Sequence, residues 1–171
     1  MLLFSDLIKR YLLHRNRIKS LFMQTYLIPA QIYQLSGDSV MKEIIVTTKN
    51  AVGSLASVAE ALGGVGVNIE AISCYGFAEK AIFRVITGDV TTALKALSRI
   101  PDTKVEESDT LIVKMINRPG ELGKMARKLA NQGVNLESLY IVSKKTDYTE
   151  VAFKPAKADF EKAKGVLGIK E

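Results

Sequence analysis

Four asparagines carry the side chains best suited to holding a small zwitterion: Asn50, Asn68, Asn117 and Asn135. A carboxamide both donates and accepts, so it can meet an ammonium, a carboxylate or a polar side-chain group with the same few atoms. Asn50 and Asn117 are each followed three residues later by a glycine, Gly53 and Gly120, and then by a stretch of helical periodicity. A helix N-terminus exposes backbone N–H groups and a partial positive charge, which suits a carboxylate, and a glycine there lets the carboxylate approach the backbone closely. Asparagine is also a favoured turn residue, so the same positions suit the capping of turns. Their joint recurrence favours a site.

They recur because the chain repeats itself. Residues 50–70 read NAVGSLASVAEALGGVGVNIE and residues 117–137 read NRPGELGKMARKLANQGVNLE. With an offset of 67, eleven of 26 positions are identical between residues 45–70 and 112–137. Unrelated sequences of ordinary composition would share roughly two. Two copies at so long a period indicate a duplicated small domain and not a stacked solenoid.

The elements that must position the asparagines can be read in each copy. Residues 44–46 and 111–113 begin β-rich runs that stop at the Asn and Gly of a turn. Leu55, Val58, Ala59 and Leu62, matched by Leu122, Met125, Ala126 and Leu129, then form the stripe of a helix with one buried face. Gly63, Gly64 and Gly66, matched in part by Gly133, end it where a left-handed residue is needed. Residues 67–70 and 134–137 alternate with period two, the pattern of a second strand. A third strand is predicted at 81–85 and 148–153. A second helix follows on Val90, Ala93, Leu94 and Leu97, and on Phe160, Ala163 and Leu167, the latter weakened by Gly165. Residues 104–106 read as a short fourth strand of the first copy. The order βαββαβ is the split-βαβ or ferredoxin-like arrangement of the α+β class, with an antiparallel four-stranded sheet and both helices on one face. Two such domains in tandem are expected, at 41–108 and 109–171, with little length left for the last strand of the second, because Thr103 in the first copy corresponds to Lys170.

Residues 1–40 match neither copy. They are either a basic N-terminal extension or upstream DNA translated in frame, with Met41 as the true start. Five of the cations and two of the acids lie there, a balance of +3 out of +6 for the chain, so the repeats are nearly neutral. A direct nucleic-acid surface would show clustered basic residues with aromatics, and the repeats show none. With 47% hydrophobic and 25% charged residues the composition is that of a globular protein. No run of eighteen apolar residues exists, so no membrane span is expected.

Little supports an enzyme. The repeats contain no histidine, no glycine-rich nucleotide loop, no G-x-S-x-G and no ligand-spaced cluster of cysteines or carboxylates, so no catalytic residue, metal or cofactor is expected. Glu70 and Glu137 read as solvated or ion-paired. The lone Cys74 excludes an internal disulfide, points to a reducing, cytoplasmic setting, and reads as a small buried hydrophobe.

Residues 41–171 resemble a tandem pair of ACT domains, the small regulatory amino-acid-binding modules of βαββαβ topology. The second copy, NRPGELGKMARKLANQGVNLESLYI, is the more typical and resembles the ACT module of phosphoglycerate dehydrogenase; NLESL is also similar to the regulatory subunit of acetohydroxyacid synthase. The resemblance implies a free amino acid held by the loop Asn117, Arg118, Pro119, Gly120, Glu121 and Leu122 together with Asn135, with Met115 where a histidine is sometimes found. Asn50, Gly53 and Asn68 are the counterparts in the first copy, whose Ala51-Val52-Gly53-Ser54 departs further from the pattern. It implies a regulatory protein, stand-alone or a subunit of an amino-acid biosynthetic enzyme. A homodimer at least is expected, with sheet edges or first-helix faces joined and ligand sites at the joints.

Overall fold

The computed structural model describes residues 39–169. The alternatives for the N-terminal segment fall on residues 1–38, outside the described residues. In chain order the elements are β1 (Ser39–Lys49), α1 (Ser54–Gly63), β2 (Ala71–Phe77), β3 (Lys80–Ile86), α2 (Val90–Leu97), β4 (Lys104–Ile116), α3 (Glu121–Asn131), β5 (Leu136–Lys144), β6 (Tyr148–Pro155), a 3-10 turn at Lys157–Asp159, and α4 (Phe160–Leu167). Neighbouring strands are antiparallel throughout, in the order β2-β3-β1-β4-β6-β5.

The α+β class and the antiparallel pairing are as expected, but the division into two separate four-stranded sheets is not found. The described strands form one six-stranded sheet because β4 is a single strand of 13 residues that serves both copies. Its first part, up to Ile112, pairs with β1, and from Leu111 to Ile116 it pairs with β6. Residues 107–110, Glu-Ser-Asp-Thr, have the composition of a linker, yet cross-strand partners hold them extended. Lys42 Nζ reaches Glu107 at 3.1 Å and Asp109 at 2.8 Å. The Thr110 hydroxyl donates to the Phe153 carbonyl at 3.0 Å, and the Lys154 ammonium donates to Ser108 Oγ and to the Asp109 carbonyl. Ser39 and Val40 pair with Ile112 and Leu111, so the place beside β4 where a fourth strand of the second copy would lie is partly filled by the start of β1.

Side chains sort by the alternation along each strand. Ile44, Val46, Phe83 and Val85 form a core with Val58 and Leu62 of α1 and Ala93 and Leu97 of α2. In the second copy Leu111, Val113, Met115, Val151 and Phe153 are buried, as are Met125 and Leu129 of α3 and Ala163 and Leu167 of α4. Along β4, Val105 of the first core and Leu111, Val113 and Met115 have the same parity, which places both helix pairs on one face of the sheet. Gly165 does not interrupt α4.

The other face curls inward. Met41, Ala71, Ile86, Ile112, Ala152, Tyr140 and Val142, drawn from all six strands, pack as one cluster, and the edge strands β2 and β5 contact each other. Inside this concave face Glu43 is fully buried, with Oε2 accepting from Arg84 Nη1 at 2.8 Å and Oε1 accepting from the Tyr140 hydroxyl at 2.8 Å. The triad ties β1 and β3 of the first copy to β5 of the second. Burial first, then the neighbouring carboxylate, pushes the Tyr140 phenol well above the ordinary tyrosine range.

Residues 67–70 differ from the expected strand. Asn68 and Glu70 are exposed and Val67 is buried, so the alternation of burial holds, but β2 begins only at Ala71. Among described residues no helix is long and apolar enough to cross a membrane.

Candidate functional site

In the first copy β1 ends at Lys49 and the chain turns through Asn50 into α1. Asn50 Nδ2 donates to the Ala78 carbonyl at 3.3 Å and its backbone N–H to the Glu79 carbonyl at 2.8 Å, pinning the turn to the β2–β3 hairpin. Gly76 makes this possible: a Cβ there would stand 2.7 Å from Asn50 Nδ2. Gly53, the residue before α1, lies at φ 92, a left-handed conformation that favours glycine, and offers no side-chain cap. The Ser54 hydroxyl turns back to the Lys49 and Ala51 carbonyls, each at 2.9 Å. The first-turn amides of Leu55 and Ala56 are therefore left to the helix end itself, which provides them no acceptor. The helix start borders a cleft of about 630 Å³ between α1 and the β2–β3 sheet edge, whose wall includes Asn50, Leu55, Ala59, Cys74 and Phe83. That volume is in the range of small-ligand sites.

The second copy builds the same turn from different residues. Asn117 Nδ2 donates to the Lys145 carbonyl at 2.7 Å, and Lys145 is 67 residues beyond Ala78. The Asn117 N–H donates to Asp147, because this hairpin is one residue longer. Gly120 precedes α3 at φ 89, again without a side-chain cap. Arg118, Pro119 and Leu122 are exposed, and the Arg118 N–H donates to the Ile116 carbonyl at 2.9 Å. What changes is the charge at the helix start. Glu121 stands in the first turn of α3 and pairs with Lys124 at 2.7 Å, whereas α1 has no acid in its first turn.

Within one copy the paired asparagines are not brought together. Leu136 pairs with Pro155, two residues beyond the Phe153–Leu111 pair, so Asn135 lies level with the middle of β4 while Asn117 follows its end. At about 3.3 Å per residue they are separated by roughly 25–30 Å along the strands. Asn68 and Asn135 are both exposed. The Asn135 N–H donates to Asp159 Oδ2 at 2.9 Å, and this bond, with the Lys162 ion pair, holds the Asp159 carboxyl below the usual range. Asp89, the equivalent acid, instead caps its own helix through the Thr92 N–H at 3.0 Å, which lowers its pKa likewise.

The sequence did not single out Gly76 and Phe83 as cleft residues. Cys74 was expected to be buried; it is exposed, because β2 is an edge strand with a cleft and not a core on that side. Leu55 and Leu122, expected on the buried stripe, are 47% and 40% exposed, since the first helical turn overhangs the loop.

No family model matches the sequence, and no curated protein does either. Among solved structures the chain is similar to a protein from Bacteroides thetaiotaomicron, with 27% identity and a TM-score of 0.67, over 77% of this chain and 88% of that one. It is also similar to the ligand-free regulatory subunit of aspartate kinase from Thermus thermophilus, with 19% identity and a TM-score of 0.56, over 78% and 96% of the two chains. The alpha and beta subunits of an aspartokinase match at 20% identity and a TM-score of 0.54, over 78% and 95%. The described part of the chain thus has the fold of an aspartate kinase regulatory subunit.

Proposed function

We propose that the protein is a regulatory protein of the ACT type that binds a free amino acid and signals by changing its association. The observation that carries this reading is the first-copy cleft, where a helix N-terminus opened by a left-handed glycine and free of acids meets an apolar wall. The amides of Leu55 and Ala56 suit the α-carboxylate, the Oδ1 of Asn50 suits the ammonium, and Leu55, Ala59 and Phe83 suit an apolar side chain. Stabilisation on adding each of the twenty amino acids tests it. A ligand at a hundred times its dissociation constant adds about 2.7 kcal/mol, and a null result with all twenty would remove the ligand half of the proposal.

The separation of Asn117 from Asn135, and of Asn50 from Asn68, favours a site shared between molecules, in which the helix end of one faces the strand start of another. Exposed Val52, Leu55 and Ile72 on the α1 side of the β2 edge supply an apolar surface for that joint. The expected state is a homodimer or larger, and light scattering that gives a monomer at micromolar concentration with and without amino acid would overturn it. The second reading, a regulatory subunit of an amino-acid biosynthetic enzyme, is favoured by the likeness to aspartate kinase regulatory subunits. Association that persists when no amino acid stabilises the protein would select it.

A further inference from the structure

On the other side of the Lys49–Asn50 turn lies a second, more open hollow of about 750 Å³ at the end of the first-copy strands. Its wall carries Lys49, Lys80, Arg99 and Lys104, with Asp102 the single acid among its described lining residues. Lys49 and Lys80 are direct partners in the β1–β3 register, so two ammonium-bearing chains stand opposite each other. Like charges in that relation repel. Lys104 is opposite Thr47, and the alternation along β1 puts it on the same side of the sheet as Lys49. Lys104 is paired with Glu106 at 2.8 Å, but Lys49, Lys80 and Arg99 have no carboxylate within ion-pair distance among the described residues. Lys95 and Lys128 are likewise without an acid at ion-pair distance among the described residues, but at the end of the first-copy sheet three such cations line one hollow.

We propose that this hollow binds a small polyanion bearing a diphosphate group, either free or carried by a nucleoside. Four cations set against Asp102 and Glu106 leave an excess of two positive charges, which a single carboxylate does not offset and a multiply charged diphosphate does. Arg99 supplies a planar fork for two phosphate oxygens, the lysines supply point charges, and the hydroxyls of Thr47 and Ser98 supply neutral donors. No aromatic side chain is among the described residues of the wall, so bases find no stacking platform and a nucleic-acid strand is disfavoured.

Titration calorimetry of the full chain with pyrophosphate, ADP and adenosine tests the site. Pyrophosphate and ADP should bind, adenosine should not, and affinity should fall about tenfold as salt is raised several-fold, because exposed charges are screened. Lys49→Gln, Lys80→Gln and Arg99→Gln should each weaken pyrophosphate by about tenfold, while Lys128→Gln on the exposed side of α3 should not. Lys49→Glu should melt above the wild type without ligand, since cross-strand repulsion becomes attraction, and should gain nothing from pyrophosphate. ADP binding more tightly than pyrophosphate assigns the nucleoside-bearing source, and equal affinities assign the free diphosphate. Absence of heat with both at about ten millimolar, weaker than any useful affinity, overturns the site, as does binding that all three glutamine substitutions leave unchanged.

Discussion

The loops after β1 and after the Leu111–Ile116 part of β4 have the same backbone and share few side chains. Both hold an Asn amide against a hairpin carbonyl, and both pass through a left-handed glycine before the helix. The residues between differ, Ala-Val in one and Arg-Pro in the other, and the residue after the glycine is Ser54 in one and Glu121 in the other. Shared shape with divergent chemistry separates two roles. Asn50 and Asn117 hold the loop through Nδ2, while the residue after the glycine sets the charge at the helix start. An acid there already satisfies the dipole that an incoming carboxylate would use. The first copy therefore has the helix end without an acid in its first turn.

The largest expected effect tests whether the copies are independent at all. Glu43→Ala leaves Arg84 as a buried cation without its counterion and should destabilise by about 3–5 kcal/mol. Because Tyr140 of the second copy also loses its acceptor, hydrogen exchange should quicken in β5 as well as in β1 and β3, and a change confined to the first copy would show that the triad does not join them. Next come Gly53→Val and Gly120→Val. A Cβ at either position meets nothing within 4 Å, so the cost is left-handed strain alone, about 1–2 kcal/mol, and should be equal in the two copies. A loss confined to one would mean that the loops are not equivalent.

Exchange of the helix-opening residues sharpens the contrast. Ser54→Glu should weaken amino-acid binding by about 1 kcal/mol, close to fivefold, and Glu121→Ser should improve any binding at α3 by a similar factor. Calorimetry that finds no change in either variant would place the site away from the helix ends. The smallest effect is on acid stability. The folded-state pKa values of Asp89 and Asp159 lie below the ordinary carboxyl value, so each contributes stability above that value, about pH 4, and loses it as pH falls through the folded pKa. Asp89→Asn and Asp159→Asn should each flatten the acid limb of a stability–pH curve, with Asp159→Asn also loosening Asn135 in hydrogen exchange.

Much of this was legible. Val58, Leu62, Ala93 and Leu97 fall on the buried sides of their helices as their spacing requires, and Gly66 and Gly133 adopt the left-handed conformation that ends a helix. What the sequence concealed depends on partners distant along the chain. The boundary expected between Ser108 and Asp109 falls inside one strand, which Lys42, Phe153 and Lys154 hold extended. Glu43 is the one acid of β1 and Arg84 sits between Phe83 and Val85, and their opposite signs were the available hint of a buried pair. Whether an asparagine caps a turn or holds a ligand cannot be read from its type, since the same amide does both.

A strand that belongs to two repeats also bears on how the chain avoids folding wrongly. Duplicated sequences invite exchange, in which an element of one copy settles into the place of its twin. Slipping β4 by one residue would turn Val105, Leu111, Val113 and Met115 out of their cores together, because every side chain changes face at once. An alignment acceptable to β1 but not to β6 therefore gains nothing, and the two neighbours proofread each other. The cost is that neither copy can complete its sheet before the other has begun, so assembly is expected to be a single cooperative event spanning the duplication.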